Sequence, residues 1–182
     1  MQTAGGINAG GIASAKLADG AVVASKIGPL AVTSAKIADG AVGLAKLGAD
    51  AKARMGAVVL WSGAALMRAD QTVTFAAAGG RKASVADQPN GIVLVFSKYD
   101  SSTGKEVNRY WSSFFVPKQV VASSPGTGHC FFSHTTDSPA MAKYIYISDN
   151  HVTGCDDNNK KGANGGVTYD NSIFVLRRVI GV

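Results

Sequence analysis

Cysteine is scarce: Cys130 and Cys155 are the only two in 182 residues, too few for a disulfide framework. Cys130 falls in an apolar run and reads as a small buried hydrophobe, while Cys155 falls in a polar loop. A bridge between them is conceivable, but a reducing site of synthesis argues against it. Glutamate is scarcer still, with Glu106 alone in a predicted hairpin loop beside Asp100. Cleavage of glycans ordinarily needs two carboxylates across a cleft, so a depolymerising enzyme is the least favoured class. Ser133, His134 and Asp137 supply the residue types of a hydrolytic triad, yet they are near neighbours and no Gly-x-Ser-x-Gly elbow is present. No enzymatic activity and no cofactor are expected.

Basic runs are also short. The formal charge of +6 is spread along the chain, and Lys/Arg clusters do not exceed the pairs Arg81-Lys82, Lys160-Lys161 and Arg177-Arg178. Nucleic-acid binding concentrates such residues on one face, so it is not expected here. A mild attraction to anionic bacterial envelopes is compatible with the charge. The chain opens on no signal peptide and contains no apolar run of bilayer length, which predicts cytoplasmic synthesis without membrane insertion.

Aromatic residues are missing from the first 60 positions; all 14 fall from Trp61 onward. Composition thus predicts a boundary near 55/56 and a globular domain over 56–182, large enough for one core. In place of aromatics the first part has a ladder: Ile7, Ile12, Leu17, Val22, Ile27, Val32, Ile37, Val42 and Leu47 recur every five residues. A period of ten overlies it, with Lys16, Lys26, Lys36 and Lys46 in one column, and this marks a repeat array over 11–55.

A spacing of five suits neither regular element. Residues five apart on an α-helix are rotated by about 140°, and on a strand an odd spacing alternates faces. A short helix with a turn in every repeat satisfies the spacing, because a hydrophobic staple links positions five apart. Val32 and Ile37 form such a pair, with Thr33 as predicted N-cap, Asp39-Gly40 and Asp19-Gly20 as stops, and Gly28-Pro29 as a break between them. Each unit has too little apolar surface to stand alone, which favours burial against other copies of the chain, three around one axis. A flexible Gly/Ala linker is the plainer alternative, and nine consecutive hits at one spacing oppose it.

After the boundary the apolar runs are short and rich in β-branched and aromatic residues: 57–61, 71–75, 92–96, 109–116, 130–133, 144–148 and 173–180. Turn-forming stretches at 88–91, 101–104, 124–128 and 164–166 separate them. This describes a mainly β antiparallel sandwich or barrel.

The decapeptide Val32-Thr-Ser-Ala-Lys-Ile-Ala-Asp-Gly-Ala41 resembles the repeats of bacteriophage fibre shafts, in particular the head fibres of small podoviruses. The second part resembles C-terminal domains of phage fibre and tail proteins. It does so through Leu60-Trp-Ser-Gly63, Gln88-Pro-Asn-Gly-Ile-Val-Leu-Val95, Phe115-Val-Pro-Lys118, Lys143-Tyr-Ile-Tyr-Ile-Ser-Asp149, Val152-Thr-Gly154 and the terminal 176–182. The resemblance implies a homotrimer in which short helix-turn-helix units wind into a supercoiled shaft carrying a β knob. It implies a virion location, with contacts to capsid or tail proteins through 1–10. Long tail fibres have an anchoring domain before their repeats; its absence from this sequence favours a short capsid decoration over a tail-associated receptor-binding fibre.

Two polar loops are the expected places for recognition of a host surface glycan: Ser101, Ser102 and Thr103 in one, and Asp156, Asp157, Asn158, Asn159 and Asn164 in the other. The second belongs to a long predicted loop, 149–170, whose carboxylates invite a Ca²⁺ reading. Counting from Asp157, Gly162 occupies position six, but Thr168 stands at position twelve where a bidentate Glu is required. His151 and Cys155 are too few for zinc. A solvated Asn/Gly turn without metal is the expectation.

Overall fold

The computed structural model describes residues 16–135 and 138–182. Ile7, Ile12, the segment 1–10 and Asp137 lie outside the described residues. The chain divides into two units between Leu47 and Gly48.

The first unit explains the spacing of five by alternating two kinds of turn. Single 3₁₀ turns occupy Ala24–Lys26, Ser34–Lys36 and Leu44–Lys46. Between them lie β-turns closed by Ala21 N–H to Ala18 O, Ala31 N–H to Gly28 O and Ala41 N–H to Ala38 O, at 3.0, 3.1 and 3.0 Å. One ladder residue follows each turn; Ile27 and Ile37, which follow 3₁₀ turns, are in extended conformation. The predicted helix-turn unit is thereby corrected: three residues of 3₁₀ replace the helix. Thr33 does not cap with its side chain, because the Lys36 N–H that it would receive is taken by Thr33's own carbonyl at 2.9 Å. Nor does Gly28-Pro29 break the array. Leu30 takes the left-handed position, φ 63°, that Gly20 and Gly40 take at 75° and 76°, and Pro29 precedes it where a type II turn accepts proline.

Among the described residues of this unit none is buried. Leu17, Val22, Ile27, Val32, Ile37 and Val42 are all between 42% and 56% exposed. One chain offers its ladder nothing to pack against.

The second unit is mostly β. It begins with the short helix α1 (Ala49–Met55), which moves its start ahead of the composition shift. One sheet is antiparallel and contains β1 (Val58–Ala65), β3 (Gly91–Asp100), β4 (Lys105–Glu106), β5 (Ser112–Pro117) and β11 (Phe174–Gly181), in the order β1-β11-β3, with β5 and β4 pairing successive stretches of β3. The other contains β2 (Thr72–Thr74), β6 (Thr127–Thr135), β7 (Ser138–Ile147), β8 (His151–Thr153), β9 (Lys161–Asn164) and β10 (Val167–Asp170). It is mixed, because β10 meets β7 in parallel at Tyr169 and Ala140. A second short helix, α2 (Lys118–Ser123), follows β5.

Alternation fills the core from both sheets. Ile92, Leu94 and Phe96 point inward from β3, and Met141, Ile145 and Ile147 from β7. Phe96 joins the layers, stacking on Phe174 at 4.9 Å and meeting Phe131 of β6 at 5.8 Å. Alternation also corrects the reading of Cys130. It precedes inward Phe131 and is exposed, and both cysteines are free. On the outer face of the antiparallel sheet, Val59, Ile180, Val93 and Phe115 stand in one register across four strands. Val59 and Phe115 at its ends are 48% and 53% exposed.

The predicted loop 149–170 is largely ordered structure: β8, a 3₁₀ turn at Asp156–Asn159, and the β9/β10 hairpin. Gly165 and Gly166, at φ 56° and 81°, form the two-residue hairpin turn that requires two left-handed positions.

Candidate functional site

Lys143 breaks the apolar alternation of β7. Its neighbours in phase are Met141 and Ile145, and it is fully buried among them. Its Nζ donates to the carbonyls of Leu66, Asn158 and Asn171 at 2.8, 2.9 and 2.6 Å. An ammonium has three protons, and three acceptors meet them.

Two buried asparagines complete this hub. Asn158 Oδ1 accepts from the Tyr144 N–H at 2.6 Å, and its Nδ2 donates to Tyr144 O at 2.8 Å and Met67 O at 2.5 Å. Asn171 Oδ1 accepts from the Ala142 N–H and its Nδ2 donates to Asp157 O, both at 2.8 Å. The side chains thus pair with β7 where a neighbouring strand would. Met67 is held at φ 58°, a strained conformation for a residue with a side chain, and its carbonyl also accepts from the Cys155 N–H. Gly154 lies so close to this segment that an added Cβ would stand 1.9 Å from Met67 O, so no larger residue fits.

These contacts shape a polar groove of about 380 Å³. Leu66, Asn159 and Ser172 line it, and each is, or directly follows, a residue whose carbonyl binds Lys143. Arg68, on the far side of Met67, and Lys161 of β9 add two cations. Tyr99 and Ser101 come from the β3/β4 hairpin. Among the described lining residues there is no carboxylate. Asp170 stands behind Ser172, accepting its hydroxyl and N–H at 2.5 and 2.9 Å. Arg68 is loosely engaged, 3.9 Å from an exposed Asp70.

The two loops singled out in the sequence therefore meet, though through one residue each. Ser101 and Asn159 line the groove. Ser102 and Thr103 are held by Asp100, whose Oδ1 accepts from both N–H groups and from the Ser102 hydroxyl; these bonds lower the Asp100 pKa to about 2. Asn158 corrects its expected role: it is buried at 0% exposure, with its amide committed to the hub. Asp156 is exposed, Asp157 pairs with Lys160 at 2.5 Å, and Asn164 ends β9 at the hairpin tip.

Burial pushes the Lys143 pKa down to about 7, against an opposing pull from Asp170 and with a smaller push from Arg68. The unfolded chain keeps its proton to about 10.4. Between these values the unfolded state binds more protons, so stability is expected to rise with pH, by up to about 1.4 kcal/mol per unit. Urea unfolding at pH 7.5 and 9.5 checks this, and Lys143→Met should remove that increment. A slope equal in both proteins would contradict it.

Among the described residues, the residue types of other chemistries stand apart. Ser133 and His134 are consecutive on β6, so their side chains take opposite faces, and Ser133 Oγ lies 3.0 Å from Ser112 Oγ. Glu106 lies 3.6 Å from Arg177. Among the described residues no three His, Cys, Asp or Glu gather as a metal site, and no helix is long and apolar enough to cross a membrane. No protein-family model matches the chain, and comparison with curated proteins finds no significant relative.

Proposed function

We propose that this chain is a non-enzymatic virion protein of a bacteriophage: a homotrimeric head fibre whose repeats form a slender shaft and whose β-rich unit is a knob that adheres to the host surface. The observation that carries this reading is the ladder, six consecutive members of which are 42–56% exposed at a fixed spacing. So regular an apolar row exposed to water along a single chain has its natural use against copies of itself, and three staggered ladders enclose a thin core where Ala and Gly permit close approach. The row of Val59, Ile180, Val93 and Phe115 supports a second self-contact through the knob.

The groove favours a second reading, a tail-associated receptor-binding fibre that recognises a host glycan. Immunogold labelling of virions separates the two by location, capsid for the first and tail for the second. Purified full chain is expected to bind host cells and to slow phage adsorption in competition. Normal adsorption by particles lacking the protein, with no cell binding by the chain, would leave capsid decoration without adhesion.

A further inference from the structure

We propose that the groove between the β3/β4 hairpin and the 3₁₀ turn at Asp156–Asn159 binds an acidic sugar unit of a surface glycan, its anionic group between Arg68 and Lys161. The inference deepens the adhesive reading above and rests on it.

Three features of the groove carry it. Its lining has two cations and no carboxylate; Asp170 behind it is bonded to Ser172, Asp100 to Ser102 and Thr103, and an exposed Asp70 stands 3.9 Å from Arg68. A neutral sugar has no use for that balance; a carboxylate or phosphate does. Tyr99 supplies an aromatic surface, while Ser101 and Asn159 supply hydroxyl and amide groups of the kind that satisfy sugar hydroxyls. About 380 Å³ falls within the range of small-molecule sites and admits one sugar ring with its acidic substituent. The third feature is preorganisation. Lys143 and Asn158 hold three of the backbone segments that line the groove before any ligand arrives, so little ordering cost falls on binding.

Isothermal titration calorimetry on the full chain in 150 mM salt tests this with four probes: trigalacturonate, glucose 6-phosphate, inorganic phosphate and neutral maltotriose. At least one acidic sugar should bind with a millimolar or lower Kd. The carboxylated or phosphorylated arm that binds identifies the source of the charge. Maltotriose and inorganic phosphate should each bind at least tenfold more weakly, the first lacking the anion and the second the ring. Arg68→Gln with Lys161→Gln should weaken acidic-sugar binding at least tenfold; both side chains are exposed, and an unchanged melting temperature would show that the fold is kept. Lys160→Gln removes one charge beside the groove, where Lys160 pairs with Asp157, and should leave binding unchanged. Binding by neither acidic sugar, equal binding by maltotriose or phosphate, or equal loss in Lys160→Gln would overturn the assignment. If the sugars fail while the chain still binds host cells, the groove is wrong and the adhesive reading stands. If the chain binds neither, adhesion falls with it.

Discussion

Replacing Ile27 and Ile37 together by Asp is expected to dissociate the proposed trimer. Each loses apolar burial worth roughly 1.5 to 3 kcal/mol in an assembled core, and a charge left there adds to the cost. In the proposed trimer the effect repeats in every chain. Lys26→Asp with Lys36→Asp is the matched control, since these residues sit within the 3₁₀ turns while the ladder residues follow them. That column should stay in water, and its substitution should leave the assembly intact. Sedimentation velocity reads both outcomes. Equal behaviour of the two pairs would mean that the ladder is not the inside of anything.

Asn158→Ala should produce a large loss of stability. The change leaves Tyr144 N–H and O and Met67 O without the partners that Asn158 provides. A buried group so orphaned costs about 1 to 3 kcal/mol; Tyr144 N–H and O lose their partner while Met67 O keeps the Cys155 N–H, so a loss of at least about 2 kcal/mol is expected from urea unfolding. The groove should open at the same time, because the 3₁₀ turn and the Leu66–Arg68 segment are tied together through this side chain. Asn159→Ala, one residue on and exposed, should leave stability nearly unchanged. Similar stabilities for the two variants would remove Asn158 from the hub.

Much of this could be read along the chain, and the exceptions have physical causes. Seven strand runs are found where apolar, β-branched residues alternate between turn signals. The short strands β4, β8, β9 and β10 lack that signal, because they are two to four residues long and their side chains are mainly polar or exposed. The period of five is a sequence fact, but a three-residue 3₁₀ turn and a β-turn leave the same trace as a short helix. Leu30 shows the difficulty: its left-handed backbone is imposed by the repeat and has no glycine to announce it. Lys143 was legible as a lysine in the apolar phase of Met141, Ile145 and Ile147, a discord that a strand reading exposes. Its three carbonyl partners were not legible, since they come from segments up to 77 residues away. Asn158 and Asn159 look alike in sequence. Only the 3₁₀ turn decides that one is buried and the other faces the groove.

Sedimentation equilibrium of the purified full chain decides whether the exposed ladder drives self-assembly. A single species near 56 kDa, three chains of 18.6 kDa, is expected. A stable monomer at micromolar concentration would contradict it.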